Sequence, residues 1–267
     1  MLSEQRYKEI SEVLEREGSV KTVTLCKFLG TSRETVRRDL ETMEERVLLK
    51  RIHGGAMRLE APEEGSAQYT SFSKRKEEHT LYKEMIANEA VNYIKEKQSV
   101  ALDSGTTSLA LAKVIKKKFH SLTVVTNSLA VANELKDAEG ISLVMTGGMY
   151  RSDEDAFVSD IATLIFSKIN IDIFFLTTCG ISVDRGITYQ RMDEILVQNK
   201  MMEASGETIV IADSSKLGVN SLVRMCGIDQ ISRLITDSGI TKQQMDEFES
   251  AGVKVTIAKE REEDKNG

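Results

Sequence analysis

Three arginines at helical spacing carry the first chemistry legible in this chain: Arg33, Arg37 and Arg38, preceded by Ser32 and interleaved with Thr35. Guanidinium groups bond in pairs to phosphate oxygens and to base edges. A helix with Ser32, Arg33 and Thr35 in its first turn and Arg37 and Arg38 on its outer face could therefore read a major groove. The bland reading is a solvated face neutralised by Glu34, Asp39 and Glu41. A second set of residues lies in loops of small hydrogen-bonding side chains: Asp103-Ser104-Gly105-Thr106-Thr107, Thr126-Asn127-Ser128, Gly147-Gly148 and Asp213-Ser214-Ser215-Lys216. Glycine and hydroxyls just ahead of a helix suit an anion, and Lys216 would add positive charge. Any one of these loops also reads as a helix cap. Neither G-x-G-x-x-G nor G-x-x-x-x-G-K-[ST] occurs, so a small anion fits better than a nucleotide. Asp103, Glu194 and Lys216 could alternatively serve as acid, base and stabiliser in an aldose-ketose proton transfer. His53, His79 and His120 lack ligand spacing, so neither a metal nor a cofactor is expected.

The elements that must position these groups differ between the two parts of the chain. Near the start, Tyr7, Ile10 and Val13/Leu14 recur at helical spacing after a possible Ser3 cap, with Gly18 as the stop. Val23 to Leu29 forms a second helix, Gly30-Thr31-Ser32 a tight turn, and Thr31-x-x-Glu34 a capping-box spacing for a third helix reaching about Glu45. Two short helices around a glycine turn, the second one basic, make a helix-turn-helix at about residues 20–39. Val47 to Ile52, the turn His53-Gly54-Gly55 and Ala56 to Leu59 suggest a β wing.

Beyond a polar stretch holding the only proline, Pro62, strand-like and helix-like runs alternate. Strands are expected at 99–102, 122–125, 141–145, 171–176, 208–211, near 233–235 and at 253–257. Helices are expected at Glu78–Glu96, Thr107–Lys116, Leu129–Leu135, near Ile161–Phe166 and at Asp193–Ala204. That order argues an α/β domain with a mainly parallel sheet. The expected division is therefore residues 1–58 for the reading head, 59–75 for a linker, 76–258 for an effector-binding and oligomerisation domain, and 259–267 for a polar tail. Met192, Met201 and Met202 read as core filler, and Cys26, Cys179 and Cys226 as small buried hydrophobes.

With 267 residues, 40% hydrophobic and 29% charged, the chain is long enough for two domains and is neither a disulfide scaffold nor largely disordered. No apolar run reaches membrane-span length and no leader pattern opens the chain, so a cytoplasmic protein is expected. The net charge of −6 argues against a nucleic-acid partner only until it is divided. Residues 1–58 hold twelve Lys+Arg against ten Asp+Glu, so the acidity belongs to the remainder. Affinity for DNA would rest on a few placed arginines and on paired heads.

The run Thr31-Ser32-Arg33-Glu34-Thr35-Val36-Arg37-Arg38-Asp39-Leu40, with Lys50-Arg51-Ile52-His53-Gly54-Gly55-Ala56, resembles the DeoR family of bacterial transcriptional repressors. The resemblance continues through Leu102 to Thr107, Val124 to Ser128, Gly147-Gly148, Ala212 to Gly218 and Ile235-Thr236-Asp237. It implies a winged helix-turn-helix joined to a domain similar to ribose-5-phosphate isomerase, in a homo-oligomer, dimer or tetramer. Such a protein would repress a carbohydrate operon and release its operator on binding a phosphorylated sugar. Carried over residue by residue, Ser32, Arg33, Thr35, Arg37, Arg38, His53 and Gly54 would contact DNA. Asp103, Ser104, Gly105, Thr106, Thr107, Thr126, Asn127, Ser128, Gly147, Gly148 and Lys216 would form the effector site. The chain departs from the family pattern at Val47 and Ser159, where glycines are usual, and at Gln198-Asn199, where a basic pair is usual. The last departure favours, as alternatives to a sugar phosphate, an effector without a phosphoryl group; an isomerase carrying an accessory DNA-binding head is the other reading.

Overall fold

The computed structural model describes residues 3–45, 49–52, 54–57 and 70–259. Val47, His53, most of the expected linker and nearly all of the tail lie outside the described residues. The chain divides into two compact units, residues 1–63 and 64–267.

In the first unit, α1 (Ser3–Glu17), α2 (Thr22–Leu29) and α3 (Arg33–Glu45) pack with a small sheet of β1 (Ser19–Lys21), β2 (Lys50–Ile52) and β3 (Gly55–Met57). β3 is central and antiparallel to both neighbours. The apolar stripes meet in one core of Ile10, Val13, Leu14, Leu25, Leu29, Val36, Leu40 and Met43. β1 was not expected, because three residues are too few to show a period of two. Its approach to β3 requires Gly55, where a Cβ would lie 2.2 Å from the Val20 carbonyl oxygen.

The second unit is built on a seven-stranded sheet in which every pairing is parallel. Its strands are β4 (Ser99–Leu102), β5 (Leu122–Thr126), β6 (Ile141–Met145), β9 (Ile171–Leu176), β12 (Ser205–Ile211), β14 (Arg233–Thr236) and β15 (Lys254–Ile257), in the spatial order 15-14-12-9-4-5-6. Alternate side chains feed two cores. Val100, Leu102, Ile173 and Phe175 face α5 (Thr80–Ala90), α6 (Thr106–Lys118) and α7 (Leu129–Leu135). Ala101, Phe174 and Leu176 face α8 (Met192–Glu203), the 161–168 segment and α9 (Lys242–Ser250). Burial on both faces explains why these strands read as continuous apolar runs.

The structure corrects several expectations. The helix expected over Glu78–Glu96 is shorter: an extended Glu78 and a left-handed His79, φ 53°, separate α5 from a preceding α4 (Phe72–Glu77), and α5 ends at Ala90 in a tighter turn at Val91–Tyr93. Phe72, within the stretch assigned to the linker, is buried in the sheet's core. The hairpin of β7 (Met149–Arg151) and β8 (Ala156–Val158) was not anticipated. The same holds for the antiparallel sheet of β10 (Gly180–Ser182), β11 (Gly186–Tyr189) and β13 (Val223–Cys226). Met201 is core and Met202 packs against it, but Met192 is 73% exposed.

Ser159 sits at φ 101°, a conformation that disfavours any residue with a Cβ, and its hydroxyl is buried without a hydrogen-bond partner among the described residues. A glycine at this position removes both costs. Ser159→Gly is expected to stabilise the second unit by about 1–2 kcal/mol, read as a higher urea midpoint. An unchanged or lower midpoint would show that neighbouring packing on Ser159 outweighs the backbone strain.

Candidate functional site

The first candidate surface is the exposed face of α3. The helix is capped by Ser32, whose Oγ accepts from the Thr35 amide at 3.1 Å and lies 2.8 Å from Thr35 Oγ1. The cap thus falls on Ser32, one residue after the expected Thr31, once the preceding helix has closed on Gly30 with φ 61°. Arg33, Arg37 and Arg38 are all exposed. Arg37 is clamped by Glu34 at 3.1 Å and Glu41 at 3.0 Å. Neither Arg33 nor Arg38 forms an ion pair among the described residues. Asp39 does not neutralise this face: it is 4% exposed and accepts two bonds from Arg6, at 2.6 and 2.8 Å, which lock α1 to α3. Arg51 of β2 reaches Glu41 at 3.1 Å, and its amide donates to Glu44 at 2.7 Å, so the second strand is tied to the same helix. Gly54 forms the exposed turn between β2 and β3 with φ 84°.

The second candidate is a cleft in the other unit. β4, β5 and β6 build the sheet outward in one direction, and the chain then returns to place β9 on the other side of β4. Loops leaving the carboxyl ends of β4 and β9 therefore diverge and leave a crevice between them, the usual ligand position in such sheets. Asp103 through Thr107 after β4, Thr177 through Cys179 after β9, and Asp213 and Lys216 after β12 line it. Arg75, Glu78, His79 and Lys83 from the α4–α5 break, Glu154 from the β7–β8 turn, and Tyr189, Glu194 and Gln198 complete the walls.

Asp103 is the hub of the crevice. It is 1% exposed and accepts from Ser108 Oγ at 2.6 Å, Thr177 N at 2.9 Å, Thr177 Oγ1 at 2.7 Å and Gly105 N at 3.3 Å, while the Tyr189 hydroxyl, 3.4 Å away, donates its one proton to the Thr177 carbonyl. Burial pushes its carboxyl up from the usual range, against the pull of these donors. Both oxygens are engaged by the protein, so Asp103 pins β4 to β9 and is not presented to a ligand. Gly105 follows because a Cβ there would lie 2.1 Å from Thr177 Oγ1. As N-cap of α6, Gly105 supplies no side-chain acceptor, so the first-turn amides of this 13-residue helix have no side-chain cap.

Besides Lys216, positive charge comes from residues the sequence did not flag. Lys83, 6% exposed, donates to the carbonyls of Arg75 and Glu78, satisfying the end of α4, and burial pushes its ammonium down to about 8. Arg75 pairs with Glu154. Burial would raise the Asp213 carboxyl, but Lys216, His79, the Ser215 hydroxyl and Lys83 together hold it below the usual value. Glu194 is pushed up to about 7 by burial and by the charge of Glu154. Lys83 carried one readable signal, since it shares the spacing of the buried positions Ile86, Ala87 and Ala90. Nothing local marks Thr177 or Tyr189.

The remaining sequence candidates do not line this cleft. Thr126 Oγ1 accepts from the Ser128 amide at 3.0 Å, Ser128 Oγ caps α7 through the Val131 amide at 3.2 Å, and Asn127 Nδ2 donates to the Phe157 carbonyl at 3.1 Å. Gly147 and Gly148, φ 65° and 108°, turn the chain into β7, where a Cβ on Gly148 would come within 2.9 Å of Val158 O. These loops follow β5 and β6, away from the β4–β9 crevice.

With this geometry in place, likeness to known proteins becomes informative. Residues 6–61 match the DeoR-like helix-turn-helix domain and residues 78–238 the DeoR C terminal sensor domain. YulB of Bacillus subtilis, an uncharacterized HTH-type transcriptional regulator, is 33% identical over 96% of this chain and 97% of its own. The glycerol-3-phosphate regulon repressor of Escherichia coli is 31% identical over 89% of this chain and 92% of its own. Among solved structures, ribose 5 phosphate isomerase A of Neisseria gonorrhoeae aligns with TM-score 0.40 and 16% identity, covering 52% of this chain and 54% of that one. The two matched domains lie in the order and places that the two units occupy. The chain belongs to the DeoR family of helix-turn-helix transcriptional regulators.

Proposed function

We propose that the protein is a repressor of a carbohydrate operon that leaves its operator when a phosphorylated sugar intermediate enters the β4–β9 cleft. The observation that carries this reading is the start of α6: amides without a side-chain cap open onto a crevice that also holds Lys83, Lys216 and His79. A helix N-terminus beside cations is a phosphate site by dipole and hydrogen bonding together. The Escherichia coli relative, a glycerol-3-phosphate regulon repressor, agrees with a phosphorylated signal. Ser32, Arg33, Thr35, Arg37 and Arg38, together with His53 and Gly54, contact the DNA. The engagement of both Asp103 oxygens supports regulation over isomerisation, because the acid-base group such chemistry would use is committed to the fold.

Paired heads on repeated half-sites give the affinity that one small unit lacks, so the working species is a cytoplasmic homo-oligomer. Exposed Ile161 and Leu164 of the 161–168 segment and Met192 of α8, which packs against that segment, are the apolar groups that self-association would cover. Effector and operator favour different arrangements of the assembly, with a coupling of about 1–3 kcal/mol.

Melting curves against sugar phosphates, the matching free sugars and inorganic phosphate test the reading. An effector at one hundred times its Kd adds about 2.7 kcal/mol of stability. Phosphorylated sugars are expected to raise Tm and to release a fluorescent operator, and Lys216→Ala to remove both responses. Equal stabilisation by the free sugars would rule out a phosphate-directed cleft.

A further inference from the structure

The cleft also carries groups of the opposite chemistry. Glu194 and Gln198 stand one turn apart on α8, 7% and 2% exposed, and both line the crevice. Oε1 of each is buried without a hydrogen-bond partner among the described residues. Buried acceptors are ordinarily paired, and a buried carboxylate needs a counter-charge as well. The nearby guanidiniums are already engaged by other acids: Arg75 by Glu154, Arg191 by Asp153 at 2.7 Å, and Arg151 by Asp193. Glu194 itself forms no ion pair among the described residues.

Resting on the phosphate reading above, we propose that the effector is a phosphate ester that also carries a protonated amine, the amine seated between Glu194 and Gln198. A hydroxyl has one proton and could serve one of the two acceptors. An ammonium has three, so it can serve both and neutralise the buried carboxylate at the same time. Glutamine at position 198, where a cation would compete with such a ligand, belongs to the same arrangement. The groups facing Glu194 are Glu154, Arg75, Arg191, Asp193, Cys179 and Tyr189; burial and Glu154 oppose its ionisation, which the ligand's charge would restore.

Calorimetric titration of the full chain at pH 7.5 with matched probes tests this. The probes are glucosamine 6-phosphate and galactosamine 6-phosphate, their hydroxyl counterparts glucose 6-phosphate and galactose 6-phosphate, N-acetylglucosamine 6-phosphate, and free glucosamine. An amino phosphate is expected to bind roughly tenfold or more tightly than its hydroxyl or acetylated partner, and Glu194→Gln to erase that preference. Equal binding of amino and hydroxyl phosphates overturns the amine site and leaves the phosphate reading standing. Free glucosamine binding as tightly as its phosphate overturns the phosphate reading instead, and binding by none of the probes overturns both. A ligand-free measurement is independent of the panel: Glu194→Gln should raise Tm most at pH 8, where the wild-type carboxylate is charged and unpaired, less at pH 5.5, where the unfolded chain's carboxyl is already ionised, and hardly at all near pH 4, where both states are protonated. A Tm at pH 8 that is unchanged or lowered by the substitution overturns the proposal.

Discussion

Operator affinity is expected to fall by about 1–3 kcal/mol, roughly 5- to 150-fold, when Arg33 is replaced by alanine, with relaxed preference at the base it reads. Arg33 occupies the first turn of α3, is exposed, and has no competing ion pair among the described residues, so nothing has to be broken before it reaches a base edge. Arg38 is equally free, but it lies further along the helix and is placed for phosphate. Arg38→Ala should weaken all sequences alike and lower the salt slope by about one. Arg37 must first leave Glu34 and Glu41, and its side chain is 55% exposed. Exposed pairs of this kind are worth about 0–1 kcal/mol, less than a phosphate contact returns, so Arg37 still contributes, by a smaller amount. Glu34→Gln should then tighten non-specific binding. Anisotropy titrations on operator and scrambled duplexes at several salt concentrations separate the cases. If Arg33→Ala changed both duplexes equally, Arg33 would be a phosphate contact and the helix would sit deeper or shallower than placed here.

Much of this architecture was legible because its strands and helices carry local signals. Val100 through Leu102 and Ile171 through Leu176 read as buried strands since both faces meet apolar cores. The reading helix was visible in the stripe Val36, Leu40 and Met43 opposite the arginines. What was not legible depends on contacts distant in sequence. The break at Glu78–His79 lies between good helix formers on either side, and what satisfies its freed carbonyls is the side chain of Lys83. The strand order that puts β9 beside β4 is likewise invisible in any local window. It selects the loop at Asp103 and the unflagged Thr177 for the cleft, while Thr126, Asn127 and Ser128, equally rich in hydrogen-bonding groups, end as caps and ties to the β7–β8 hairpin. Ser159 is the opposite case. Its departure from a family glycine was readable, and its positive φ and orphan hydroxyl show the physical cost of that departure.

Asp103→Ala is expected to lower the melting temperature of the sensor unit far more than any substitution on the cleft rim. The carboxylate gathers two donors from Thr177, one from Ser108 and one from Gly105, at the floor between β4 and β9. Removing it relieves a buried charge, which is favourable. It also leaves the Thr177 and Gly105 amides without an acceptor, each costing about 1–3 kcal/mol, while the Ser108 and Thr177 hydroxyls can rotate to new partners and the Tyr189 hydroxyl keeps the Thr177 carbonyl. The unpaired amides win, and a net loss of about 3–5 kcal/mol follows. For a unit of this size that is a drop of roughly 6–20 °C. Asp103→Asn should fall between, because its amide oxygen can keep one side of the network while its NH2 faces donors on the other. Calorimetry of the full chain decides the role of this residue. A residue held for chemistry at a strained site leaves the fold equally or more stable when removed. If Asp103→Ala melted at or above the wild-type temperature, the aspartate would be poised for a ligand or a reaction, and the cleft floor would be held by Thr177 and Tyr189 without it.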